Sequence, residues 1–143
     1  MTQPKIEFLK DWFQKVWVEG DMAAIDDYFA PRAGADGLMP DGEVGVEDFR
    51  ALVPALSALV RDLNFTIDQH LEGPDWLWAQ FTTHAMAAHE AREIAAKGQI
   101  MMRFDGDKIS EAYNVFDFLT LFSQAGLLPE EAFLLLLSGD RLG

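Results

Sequence analysis

Arg103-Phe-Asp-Gly-Asp-Lys-Ile-Ser-Glu-Ala-Tyr-Asn-Val-Phe-Asp117 reads as an antiparallel hairpin, with a strand arriving at Phe104, a tight turn at Asp105-Gly106 and a long strand leaving from Lys108. An Asp-Gly pair between alternating apolar residues favours a turn that needs positive φ. The outgoing strand ends on Asp117, a lone carboxylate among aromatic and aliphatic residues. Such a group is costly to bury unless hydrogen-bonded, and burial raises its proton affinity. Asp117 is therefore the first candidate for acid/base chemistry. The competing reading is a strand-end aspartate that reaches water or caps the next turn.

Upstream of the hairpin the hydrophobic period is close to two. Phe65 and Ile67 mark one strand, Gly73-Pro74-Asp75 a turn, and Trp76 to about Ala87 a longer strand. Ala88 to Lys97 is ambiguous, because Ala and Glu favour helix while Gly98 lies close. Gln99 to Phe104 is a third strand and Lys108 to Leu119 a fourth.

The first third of the chain has helical spacing instead. Phe8, Leu9, Trp12, Phe13, Val16 and Trp17 form one apolar stripe; Met22, Ile25, Tyr28 and Phe29 form another, started by Asp21 and closed by Pro31. Arg32 to Gly45 is rich in Gly and Pro and reads as loop. A third helix is expected from about Val46 to Arg61, with Pro54 as a start or a kink. A tail from Pro129 carries Ala132-Phe-Leu-Leu-Leu-Leu137. Helices followed by an antiparallel meander make an α+β layout, with the helices gathered on one face of a curved sheet. At 143 residues without a separable linker, one domain spanning 1–143 is expected.

Composition narrows the function. Lys and Arg total 11 against 24 Asp and Glu, a formal charge of −13, which disfavours nucleic acid and anionic membrane as partners. Cysteine is absent, which excludes disulfides, thiolate nucleophiles and cysteine-bound metal. No phosphate-binding glycine loop, zinc-enzyme His-Glu-x-x-His or EF-hand loop is present, so neither cofactor nor metal is expected. Met1-Thr-Gln-Pro-Lys-Ile-Glu-Phe8 lacks the apolar core of a signal peptide, and Phe133 to Leu137 is too short to span a bilayer, so a cytoplasmic location is expected.

The order of several pieces resembles the SnoaL-like polyketide cyclases of the nuclear transport factor 2-like superfamily. Gly20-Asp-Met-Ala-Ala-Ile-Asp-Asp-Tyr-Phe-Ala-Pro31 is close to the family's second-helix pattern, and Gly45-Val-Glu-Asp-Phe-Arg50 opens helix three. Asp62-Leu-Asn-Phe-Thr-Ile67 is similar to its Pro-Asp-Leu-x-Phe segment, with Arg61 in place of proline. The strongest piece is the Arg103–Asp117 hairpin followed by Leu121-Phe-Ser-Gln-Ala-Gly-Leu127, with Tyr113 where the family usually has tryptophan. Thr83-His84 matches a threonine-histidine pair but lacks its flanking glycines. Glu90-Ala-Arg-Glu-Ile-Ala-Ala-Lys97 replaces a Pro-x-x-Gly loop beside the usual pocket mouth.

The resemblance implies a cone of curved sheet, with mixed or antiparallel pairing and the N-terminal helices on its concave face. It implies an apolar pocket in which Asp117 acts as base and His84 or Arg103 as donor, without metal or organic cofactor. Pocket contacts are expected from Trp12, Trp17, Tyr28 and Met102, with Leu38 and Met39 at the mouth. On the second strand Trp76, Trp78, Gln80, Thr82 and His84 share one parity, a mixture that suits a ligand pocket or a wet dimer interface. On the last strand Glu111, Tyr113, Val115 and Asp117 share another. If this set lines the cone, Tyr113 and Val115 contact ligand; if it faces outward, Asp117 loses its role.

Three functions fit these residues. The first is cyclase- or isomerase-like proton transfer on a small apolar, polyketide-like carbonyl compound. The second is non-catalytic binding of a hydrophobic small molecule, and the third is epoxide-hydrolase- or dehydratase-like chemistry. Homodimerisation, by the sheet or by the Phe133–Leu137 tail, is the expected assembly.

Overall fold

The computed structural model describes residues 3–31, 33–39 and 42–143, with Met39 described by its backbone alone. Helix α1 (Lys5–Trp12) runs straight into a π-helical segment (Phe13–Val18), and a 3₁₀ segment follows (Met22–Asp27). Then come β1 (Gly34–Met39), β2 (Gly42–Gly45), α2 (Val46–Ser57), β3 (Val60–Glu72), β4 (Trp76–Ala87), β5 (Glu93–Asp105), β6 (Lys108–Phe116), α3 (Phe118–Gln124) and α4 (Ala132–Leu137). The strands form one sheet in the order β2-β1-β6-β5-β4-β3. Only β1 and β6 pair in parallel; the other neighbours are antiparallel. The α+β fold with a mixed, curved sheet and helices on one face is as the sequence predicts.

Several boundaries differ from the expectation. The Gly-rich stretch read as loop contains the β1–β2 hairpin, which extends the sheet beyond β6. Helix α2 keeps Pro54 in its interior but stops at Ser57, short of Arg61. Strand β3 begins earlier than Phe65, because Asp62 adopts φ 55° at a bulge and carries the pairing past a residue that breaks the alternation. Strand β5 begins at Glu93 rather than Gln99. Its burial alternates strictly along Glu93-Ile-Ala-Ala-Lys-Gly-Gln-Ile-Met-Met-Arg-Phe-Asp105, with the even-numbered residues inside. The Ala and Glu content that suggested helix is overridden by long antiparallel pairing to both β4 and β6. The turn after β5 is Gly106-Asp107, between the paired Asp105 and Lys108.

The last strand shows how one residue sets a face. Arg103 pairs with Glu111 and Phe104 with Ile109, so Ser110 is an extra residue on β6. Simple parity from the buried Ile109 would send Glu111, Tyr113, Val115 and Asp117 inward. The bulge at Ser110 reverses the phase, placing Ala112, Asn114 and Phe116 inside and exposing Tyr113 and Val115.

The helical segments lock onto the inner face through aromatic contacts. Phe8 meets Phe104 edge-on at 5.0 Å, and Phe13 stacks on Phe65 at 4.2 Å. The tail packs only in part. Ala132 is fully buried, but Phe133, Leu134, Leu136 and Leu137 are exposed.

Candidate ligand cavity

The apolar interior divides into two clusters. One gathers α1, the π-helical segment and the inner residues of β4–β6; the other gathers Ala85, Ala87, Ile94, Ala96 and Leu121 with Leu56, Val60, Leu63 and Phe118. Phe116 belongs to both. Between them lies a cavity with about 890 Å³ of empty space, its open mouth included. Trp12, Phe13, Trp17 and Phe29 form the helical wall, with Ala35 and Leu38 of β1 and Phe49, Leu56 and Ser57 of α2. The sheet contributes Val60, Leu63, Phe65, Phe81, Thr83, Ile100, Met102, Ile109, Ala112, Asn114 and Phe116, and α3 adds Phe118 and Leu121. Gly98 makes room for this wall, since a Cβ there would lie 2.7 Å from Phe81 Cζ and 2.8 Å from Phe116 Cδ1.

Among the described residues the lining holds three polar side chains, Ser57, Thr83 and Asn114, and no ionisable one. The Asn114 amide donates to the Asp36 carbonyl at 3.1 Å, which leaves its oxygen as an acceptor. The Ser57 hydroxyl is buried with no partner among the described residues. A charged ligand entering this space would lose its hydration without gaining a counter-ion, whereas a neutral one loses little. No group of three or more His, Asp or Glu side chains among the described residues could hold a metal ion. No helix there is long and apolar enough to cross a membrane.

Of the residues expected in the pocket, Trp12, Trp17, Leu38 and Met102 line it. The side chain of Met39 lies outside the described residues. Tyr28 is buried but packs behind the wall, edge-on to Phe8 and Trp12, and donates to the Asp11 carboxylate at 2.7 Å. Burial first, and then the Asp11 bond and charge, push its phenol well above the usual range.

The remaining expected residues are not in the cavity, and the alternation of the strands is the reason. Trp76, Trp78, Gln80, Thr82 and His84 alternate with the inner Leu77, Ala79, Phe81 and Thr83, and so occupy the outer face of β4. There Trp78 donates to Gln99 at 3.0 Å, Gln69 to Gln80 at 3.3 Å and Thr82 to Asp68 at 2.7 Å. Arg103 also faces out. Its guanidinium pairs with Glu111 at 3.2 Å and lies 5.8 Å from the Trp76 ring. Tyr113 stacks near Trp76 and donates to Glu111 at 2.7 Å. That bond, with the Arg103 bond second, draws the Glu111 carboxyl down, and the same Glu111 bond, with the carboxylate's charge, raises the Tyr113 phenol.

Asp117 is exposed at the N-terminus of α3. It accepts from the Thr120 amide at 3.0 Å and from the Thr120 hydroxyl at 2.6 Å. The capping reading therefore describes its geometry, and the pocket-base reading does not. The polar strand residues that do face the cavity, Thr83 and Asn114, are on the opposite parity. Their signal was present: Leu77, Ala79, Phe81, Thr83 and Ala85 form a more uniformly apolar set than their neighbours.

Solved structures with this architecture are numerous. TsrD from Streptomyces laurentii superposes with a TM-score of 0.70 at 21% identity, covering 90% of this chain and 99% of its own. A protein provisionally designated a polyketide cyclase, from Acidithiobacillus ferrooxidans, gives 0.71 at 23%, covering 88% and 96%. A protein with a ketosteroid isomerase-like fold from Catenulispora acidiphila, solved with trimethylamine, gives 0.69 at 16%, covering 88% and 95%. At such identities the likeness is one of fold. Among curated proteins, none matches this sequence. The SnoaL-like domain family matches residues 9–112, well over half of the chain, and the chain belongs to that family.

Proposed function

We propose that this protein binds a neutral, largely hydrocarbon small molecule, of the polyketide-like carbonyl class, in the cavity between helices and sheet. The observation that carries this reading is the lining, in which hydrocarbon walls are interrupted by Ser57, Thr83 and Asn114 alone among polar residues described. Apolar area supplies affinity, and a few polar contacts fix orientation.

Ring-forming or isomerising turnover is the second reading, supported by membership of the SnoaL-like family. A cavity of this kind can fold a flexible substrate into a reactive conformation, and hydroxyl or amide donors can stabilise a developing oxyanion. Proton removal from carbon would need a base other than Asp117, whose carboxylate is occupied at the α3 cap. Hydrolysis through two carboxylates and an arginine has no support in the described lining.

Native mass spectrometry and ligand-observed NMR against apolar ketones test both readings, with deuterium exchange at the carbon beside the carbonyl followed in the same samples. Binding without accelerated exchange supports the first reading; accelerated exchange supports the second. Failure of every such ketone to bind would remove both.

Self-association across the outer sheet face is part of the proposal. Trp76, Trp78, Met101, Tyr113 and Val115 lie there with Gln80 and Gln99, and Val115 is 75% exposed. Such a mixture suits a partly polar interface between two copies. A cytoplasmic location is part of the same proposal.

A further inference from the structure

Ser57 is the last residue of α2, between the cavity-lining Leu56 and the turn that leads to Val60. A serine at a helix end ordinarily returns its hydroxyl proton to the carbonyl four residues earlier. Ser138, just after α4, does this, donating to the Leu134 carbonyl at 3.0 Å. Ser57 does not: its oxygen is buried and has no partner among the described residues, in a residue that lines the cavity. Leaving a buried hydroxyl unmatched is unfavourable, and native proteins rarely do so unless a water or ligand completes the pair.

We infer that Ser57 is the polar anchor of the cavity, and that it selects a ligand whose hydrocarbon body carries a carbonyl or hydroxyl oxygen placed to meet it. The inference rests on the cavity reading above and deepens it. The hydroxyl can donate to a carbonyl and can either donate to or accept from an alcohol. A carboxylate or ammonium could bond to it as well but would enter a lining with no counter-ion among the described residues, so the recognised chemistry is a neutral oxygen. The surrounding Leu56, Val60, Leu63 and Phe118 offer that end of the ligand no competing polar contact.

Two matched probe pairs test this, α-tetralone against tetralin and cyclododecanone against cyclododecane, titrated into the wild-type chain and Ser57→Ala. Ser57→Ala is expected to weaken the ketones about tenfold while changing the hydrocarbons by less than twofold or tightening them. The same substitution should leave the unfolding midpoint unchanged or slightly higher, since it removes an unmatched group. Equal changes for ketone and hydrocarbon would overturn the anchor while leaving the cavity reading intact. Destabilisation by Ser57→Ala would reassign the hydroxyl to a structural bond. Absence of binding by all four probes to wild type would overturn the cavity reading together with the anchor.

Discussion

Asp117 and Thr120 form a closed local pair: the aspartate accepts from both the amide and the hydroxyl of the threonine, at 3.0 and 2.6 Å. The carboxylate satisfies an orphan amide of the first turn of α3 and sits at the favourable end of the helix dipole. Asp117→Ala is expected to lower stability by about 1 kcal/mol, with Asp117→Asn costing less. Ketone binding should be unchanged in both. Urea denaturation paired with calorimetric titration measures this; loss of binding at wild-type stability would return Asp117 to the site.

Gly98 controls the width of the cavity. A methyl group there would press on the rings of Phe81 and Phe116, which face each other at 6.2 Å and both line the space. Gly98→Ala should cost about 1–3 kcal/mol through strain. It should also weaken α-tetralone about tenfold, or ~1.4 kcal/mol. An unchanged affinity would show that the ligand does not reach these rings.

Gly37 has φ 88°, and a Cβ on it would lie 1.8 Å from the backbone oxygen of Asn114. The site needs both left-handed backbone and close approach of β1 to β6. Gly37→Ala should destabilise by ~2–4 kcal/mol. Hydrogen exchange should locate the loss in the β1–β6 pairing, which includes Ala35 with Ala112 and Asp36 with Tyr113. Uniform loss of protection would place the strain elsewhere.

Both tyrosines of the chain hold their protons more tightly when folded, Tyr28 chiefly through burial and Tyr113 chiefly through its bond to Glu111. A raised folded pKa stabilises the fold below the unfolded value of about 10, and that contribution disappears as pH climbs through the folded value. Stability should therefore fall on the alkaline side, and Tyr28→Phe should flatten that fall. Phenolate absorbance of the native chain should rise later than that of the urea-unfolded chain. Coincident titration curves would contradict the burial of Tyr28 and its link to Asp11.

Val115 has no part in the cavity lining and lies exposed on the outer sheet face, opposite Gln99. Val115→Asp should leave folding within ~0.5 kcal/mol of wild type. If two copies pair through this face, sedimentation velocity should show the variant shifted to monomer. Identical sedimentation of both proteins as dimers would move the interface, with the exposed leucines of α4 as the next surface to test.

Where local pattern and tertiary pairing agree, the sequence reads closely. Trp76 to about Ala87 is expected as a strand and is β4, a run of strand-forming residues between a Gly-Pro-Asp turn and a polar loop. Where they compete, reading fails in a definite direction. Glu93 to Lys97 has helix-forming composition and becomes strand, because β4 and β6 supply partners on both sides. The candidate site is least legible, because its strand residues depend on which face turns inward, and on β6 a one-residue bulge changes that face without leaving a mark in composition.

The residues alone determined the helix-then-meander order, the apolar interior, the anionic character and the family, for these follow from local periodicity and side-chain chemistry. Which face of β6 meets the cavity, and so whether Asp117 or Asn114 lines it, was decided only when the strands paired. Ser110 has no register partner on β5, and that mismatch between neighbouring strands, a property of two segments together, turned the carboxylate outward and the amide in.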